Sequence, residues 1–198
     1  MIIHQYIILI LAWFTYGFIH SFLASSFVKK IVPTPYYRLV YNAIAILLFV
    51  VLILFQYQLP KDLLWTSNLF SQTFGIVLVI TGIWTLYNAF SSYDLSEFTG
   101  FDSFQKGESS SAIFKTSGIL QIVRHPIYSS IILVVFGIFV YDALLRSLIT
   151  ACCATLYIRI GIYFEEKKLI ITFGESYVRY REQIPMLFPR LNSKLRNL

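Results

Sequence analysis

Between Ile2 and Phe22 the chain carries no Asp, Glu, Lys or Arg, and further long apolar runs follow it. A run of that length must leave water as a helix, because a lipid-exposed backbone has to satisfy its own N–H and C=O groups. The second run, through "YNAIAILLFVVLILF", covers 37–55, the third 70–90, the fourth 126–140 and the fifth 144–164. Only 13% of residues are charged and mean hydropathy is +0.69, against about 25% charged residues in a soluble domain. The expected fold is therefore all-α: one domain over 1–198, a polytopic membrane bundle of about five helices with an amphipathic tail at 165–198.

Charge placement orients this bundle. The loops after the first and third runs carry Lys29, Lys30, Arg38, Lys106, Lys115 and Arg124, and the tail carries seven more basic residues. The alternate loops carry only Lys61 and Arg146. Five spans place every basic-rich segment on one side, which predicts a cytoplasmic C-terminus and an external N-terminus in a cytoplasmic membrane. The net charge of +6 is explained by this bilayer pattern, so membrane lipids and not nucleic acid are the expected partners. The first run has its charges after it rather than before it, and reads as a retained helix and not a leader. Cys152 and Cys153 are adjacent within an apolar run, a spacing unsuited to zinc, and are expected to be buried packing. Gly75 and Gly82, at i and i+7, suit close helix contact.

Polar groups at membrane depth are the candidates for chemistry. In "RHPIY", Pro126 is placed to start the fourth helix, with His125 at its cap, Arg124 beside it and Ile127 and Tyr128 in the first turn. Such a helix start suits a carboxylate or phosphate, although the same residues also serve as interface anchors. Glu165 and Glu166 close the fifth run, where acidic groups oppose the helix dipole. Arg159 lies seven residues before Glu166, on a shared face. Paired carboxylates could hold an amine or a sulfonium; pairing with Lys167 or Lys168 is the plainer alternative. His20 could ligate haem or meet substrate, or be a satisfied interfacial histidine. From Ser91 to Gly118 runs the one long polar stretch, expected to be a lid.

These residues also carry a resemblance. "TSGILQIVRHPIYSS" and, two apolar runs later, "FEEKKLIITFGESYVRYREQIPMLFP" resemble the C-terminal half of the isoprenylcysteine carboxyl methyltransferase superfamily, which includes phospholipid N-methyltransferases and NnrU-type membrane proteins. "HSFLASSFVKK", "YRLVYN" and "SSYDLSEFTGF" resemble the NnrU-like branch and, within it, methanethiol S-methyltransferases. The resemblance implies S-adenosylmethionine bound by Ala112, Ile113, Phe114, Lys115, Leu120, Arg124, His125, Pro126, Ile127 and Tyr128. It implies catalytic roles for Glu165 and Glu166, with Arg159 as the nearest arginine. Two positions depart from the pattern: Leu120 stands where the family has tyrosine, and Gly161 where prenylcysteine enzymes have an arginine that meets the substrate carboxylate. The expected activity is methyl transfer to a small hydrophobic acceptor such as a thiol. The alternatives are a prenylcysteine or phospholipid acceptor, and an NnrU-like haem protein with His20 and His125 as ligands.

Overall fold

The structure is a computed structural model that describes residues 2–31, 36–92, 114 and 116–190. Among the described residues seven α-helices form: α1 (Ile2–Leu23), α2 (Ser26–Ile31), α3 (Tyr36–Gln58), α4 (Leu69–Ser92), α5 (Pro126–Asp142), α6 (Leu145–Phe173) and α7 (Glu175–Gln183), with a 3-10 turn at Gly118–Gln121. Among the described residues there is no β-strand; Leu63 and Leu144 make one antiparallel bridge. The all-α membrane bundle is what the apolar runs predict.

Two boundaries differ from expectation. Among the described residues four helices (α1, α3, α4, α6) are long and apolar enough to cross a membrane, whereas α5 has 17 residues and falls short of that length. The fifth run does not stop at Glu165-Glu166-Lys167-Lys168 but continues as helix to Phe173. The reason is electrostatic: Glu166 is neutralised by a partner from another segment, so the charges do not end the helix.

Close backbone approach joins α4 to α5. A Cβ placed on Gly75 would lie 2.7 Å from the carbonyl oxygen of Gly137, and one on Gly82 would lie 2.8 Å from Val134 Cγ2. Small residues at these points let the two helices pack antiparallel with their backbones in contact, as the i, i+7 spacing predicts. Elsewhere Leu9, Trp13, Leu52 and Ala154 form a core joining α1, α3 and α6. Cys153 packs against that core, but Cys152 is exposed rather than buried. Position 152 falls on the outer face of α6, one residue round from that core.

At the end of the bundle formed by the α3–α4 and α5–α6 connections, Arg146 is buried. Its Nη1 donates to the carbonyls of Gln56 (3.2 Å), Tyr57 (3.1 Å) and Leu59 (3.1 Å). These carbonyls lie at the C-terminus of α3, where a helix runs out of its own donors; that of Gln56 also accepts from the Leu59 N–H at 3.1 Å. Beside it the Thr150 hydroxyl donates to Gln56 Oε1, Trp13 Nε1 donates to Thr150 (3.3 Å), and the Tyr6 hydroxyl donates to Asp62 (2.8 Å).

Candidate active site

The opposite end of the bundle gathers the start of α5, the last turns of α6 and the chain after α7. Pro126 occupies the first turn of α5 and His125 is its N-cap, with φ −125° and ψ 65°. Proline fixes that start because its missing N–H is one the helix would not use. The tail then lies along the same segment. The N–H groups of Arg124 and His125 donate to the carbonyls of Pro185 (2.9 Å) and Met186 (3.1 Å), and the Ser129 hydroxyl donates to that of Leu187. Residues 185–187 thus form a strap beside the helix start, bonded to the two N–H groups that precede it and to Ser129 one turn in.

Arg124 ties three segments together. Its Nε (3.0 Å) and Nη2 (2.7 Å) donate to Glu166 Oε1, while its Nη1 donates to the carbonyls of Arg181 (2.9 Å) and Ile184. His125 adds a third contact to the same oxygen, Nε2 to Oε1 at 3.1 Å. A carboxylate only accepts, so Nε2 carries the proton in this pair. Both partners are buried, and a buried ion pair is tolerable when such hydrogen bonds surround it.

The adjacent carboxylate is treated differently. Glu165 is 42% exposed by side chain, yet its Oε2 is inaccessible and has no hydrogen-bond partner among the described residues. The nearest cationic group is His125 Nδ1, at 3.8 Å, which is beyond hydrogen-bond reach. The His125 ring stacks on Tyr128 with centroids 5.7 Å apart. A second orphan lies close by. The Tyr177 hydroxyl is buried and makes no well-formed hydrogen bond among the described residues, although it lies near Glu166; burial, reinforced by that carboxylate, pushes its phenol well above the usual tyrosine range.

Aromatic rings close this end. Phe114 lies 5.1 Å from Phe173, 5.8 Å from Tyr177 and 5.2 Å from Tyr180, centroid to centroid. The Tyr180 hydroxyl donates to the Leu120 carbonyl at 2.6 Å. The bend between α6 and α7 that brings these rings in is made at Gly174, whose φ of 57° and ψ of −134° suit glycine alone.

Of the residues singled out from sequence, the structure brings Arg124, His125, Pro126, Tyr128, Glu165 and Glu166 to one place. Ile127 follows in the first turn, where its carbonyl accepts from Ser130. Leu120 is buried and acts through its carbonyl. Arg159 does not join Glu166; it is exposed and its guanidinium meets the Met186 sulfur. Lys167 sits over the Tyr163 ring at 4.3 Å instead of pairing with an acid. Ala112, Ile113 and Lys115, with most of the expected lid, lie outside the described residues. His20 is held elsewhere. Its Nδ1 accepts from the Tyr157 hydroxyl at 2.8 Å, and its ring packs against Tyr16, Tyr41 and Tyr157. The haem alternative finds no support: His20 packs among Tyr16, Tyr41 and Tyr157, whereas His125 sits with Glu166 and Tyr128, so the two proposed ligands belong to separate clusters.

Sequence reasoning assigned no role to Tyr177, Tyr180 or the 185–187 strap. The two tyrosines carry a signal, because a spacing of three places both on one face of a short helix. The strap carries none, being an irregular segment whose partners lie some sixty positions away.

Comparison with known proteins gives the same direction. The chain is 35% identical over 127 residues to a methanethiol S-methyltransferase of Crocosphaera subtropica, covering 64% of this chain and 47% of that one. It is 29% identical over 188 residues to the methanethiol S-methyltransferase of Pseudomonas deceptionensis, covering 87% and 68%. Methanethiol S-methyltransferase 2 of Bradyrhizobium diazoefficiens is 36% identical over 96 residues, 48% of this chain and 36% of its own. The chain thus spans less than half the length of the first of these relatives. No solved structure matches it. Residues 70–176, from α4 through the Arg124–Glu166 pair, match the phospholipid methyltransferase family, and the chain belongs to that family.

Proposed function

We propose that this protein is a membrane methyltransferase that uses S-adenosylmethionine to methylate a small apolar thiol, with its site at the cytoplasmic face and its N-terminus outside. The observation that carries the reading is the pairing of unlike carboxylates: Glu166 fixed by Arg124 and His125, and Glu165 beside it with an inaccessible, unpartnered oxygen. The relatives named above supply the thiol.

The donor set fits the cofactor. An orphaned carboxylate oxygen suits a cationic ligand, and rings from Tyr128 and His125 offer a flat surface to one side. Glu165 would hold the cationic part, with His125 and Tyr128 beside it. When bound, this cofactor supplies an electrophilic methyl group on sulfur. The chain's own part is alignment and exclusion of water, which suffices for an in-line displacement. The strap and the Phe114 ring cluster exclude water. The proton that the thiol gives up would pass to the other, exposed oxygen of Glu165, and the cofactor's sulfur, keeping the electron pair of its broken bond to the methyl, would leave as a neutral thioether. A thiol of pKa near ~8.5 needs only a weak base for that proton loss.

The test is methyl transfer from labelled cofactor by the full chain in lipid vesicles, offered methanethiol, a prenylcysteine and a phospholipid. Label in dimethyl sulfide supports the reading. Label confined to phospholipid or prenylcysteine replaces the acceptor, and no binding of the cofactor removes the activity altogether.

A further inference from the structure

Between α1 and α6 lies a crevice of about 270 Å³. Trp13 is buried at its floor, while Phe18, Leu156 and Ile160 form an exposed rim. None of the described residues lining it is charged. Both of its helices are long and apolar enough to span a membrane, so the opening faces hydrocarbon.

The end of the crevice nearest α2 is polar. There the Ser21 and Tyr157 hydroxyls lie 3.1 Å apart, and that of Tyr157 meets His20 Nδ1 at 2.8 Å. Tyr157 stands ~12 Å of helix rise before Glu165, so the crevice is set apart from the carboxylate pair.

Two rows of rings lead from this crevice to basic residues. On the outside, exposed Phe18 stacks on Phe22 at 6.4 Å, and Phe22 lies 6.2 Å from Phe27 on α2, just before Lys29 and Lys30. On the inside, Tyr157, His20, Tyr41 and Tyr37 follow one another at 5.9, 5.6 and 6.1 Å. The charges of Lys29 and Arg38 both act on the Tyr37 hydroxyl, which brings those cations to the head of the inner row. The helix α2 is itself two-sided. Phe27 and Ile31, at i and i+4, are exposed apolar groups, and Lys29 and Lys30 are exposed between them. Such a segment suits the boundary of a bilayer, its rings in hydrocarbon and its ammonium groups among the headgroups.

We propose that the crevice and α2 form a seat for one anionic phospholipid. An acyl chain lies in the crevice against Trp13, and the phosphate rests among Lys29, Lys30 and Arg38. Charge favours this occupant over a second copy of the chain. In a symmetric dimer with its axis along the membrane normal, the same cations of both copies would meet at one depth, which like charge opposes. A phosphate is opposite in charge to all of them, and a zwitterionic headgroup gives back part of that attraction through its own ammonium. The lipid is a fixed wedge between α1 and α6 rather than a methyl acceptor, and its seat does not depend on the methyl-transfer reading.

The experiment uses the full chain in vesicles, with lipids brominated at mid-chain as quenchers of tryptophan fluorescence. The chain has three tryptophans, so Trp65→Phe with Trp84→Phe leaves Trp13 as the single reporter. Brominated phosphatidylglycerol, diluted in unlabelled phosphatidylcholine, is expected to quench Trp13 at about tenfold lower mole fraction than brominated phosphatidylcholine, because each basic residue near the surface adds several-fold to the attraction. Lys29→Gln with Lys30→Gln should remove that preference, as should salt of about 1 M, which cuts the screening length to ~3 Å. Exposed Trp84, left as the single reporter by Trp13→Phe with Trp65→Phe, should show no preference. Equal quenching of Trp13 by both lipids, or a preference undiminished by the lysine changes, overturns the seat. Quenching by neither overturns it as well, and a dimer in native mass spectra would then give the crevice to a second copy. Should the tryptophan variants fail to fold, native mass spectrometry of the chain with its tryptophans intact decides. One phosphatidylglycerol should stay bound and be lost on Lys29→Gln with Lys30→Gln; equal retention by both chains overturns the proposal.

Discussion

Each end of the bundle buries one arginine, and the two are used in opposite ways. Arg146 donates to three backbone carbonyls at the end of α3, within a network in which Thr150, Gln56, Trp13, Tyr6 and Asp62 all find partners. Arg124 donates to a carboxylate and two carbonyls, but around it Glu165 Oε2 and the Tyr177 hydroxyl make no well-formed hydrogen bond among the described residues. A fully satisfied buried network serves to fix one packing arrangement. Orphaned polar atoms reduce stability, and are reasonable where a ligand completes them. On the reading proposed above, the Arg146 end is scaffold and the Arg124 end is the place for chemistry.

That contrast can be broken most decisively at Glu165. Glu165→Gln keeps the shape and removes the base; methyl transfer should fall by about 10²-fold or more with an unchanged thermal midpoint. Near-normal turnover would mean that the orphaned oxygen is incidental. Arg124→Ala strands Glu166 as a buried charge and frees the strap. A loss of roughly 3–5 kcal/mol and faster proteolysis within 181–187 are expected, read by thermal unfolding and mass spectrometry. Arg146→Ala takes the guanidinium from three carbonyls, of which only that of Gln56 keeps another described donor, and should cost about 1–3 kcal/mol, while KM for the acceptor is unmoved at a permissive temperature. A change in KM there would show that the two ends are coupled. Tyr177→Phe has the smallest effect on the apo protein, within ~0.5 kcal/mol, since its hydroxyl gives up no described hydrogen bond. If cofactor affinity, measured by titration, nonetheless drops several-fold, that hydroxyl belongs to the binding site.

Much of this arrangement could be read from the chain beforehand, but unevenly. Run length and charge gaps located the long helices, and Gly75 with Gly82 marked a face of α4 for close contact without naming α5 as its partner, because both are periodic, local signals. Pro126 marked a helix start for the same reason. The partners of Glu166 could not be read: Arg124 and His125 lie 42 and 41 positions away, and no local pattern specifies such a pairing. That pairing also hid the true end of α6, since Glu165-Glu166-Lys167-Lys168 looks like a terminus unless one carboxylate is known to be neutralised. Arg146 looked like an isolated loop cation, and its role as a cap on α3 depends on how two hairpins meet. Gly161 was noticed as a departure from a family pattern, but the space beside it, with no described atom within 4 Å of a built Cβ, is visible only in three dimensions.

The unexpected length of α6 has one more consequence. At ~1.5 Å per residue, the climb from Leu145 to Glu165 is about 30 Å, the depth of a bilayer's hydrocarbon layer. The helix therefore works as a gauge that sets the carboxylate at the boundary between oil and water. On the proposed reading, an oil-soluble thiol and a water-soluble, charged methyl donor would meet there without either having to dissolve in the other's phase.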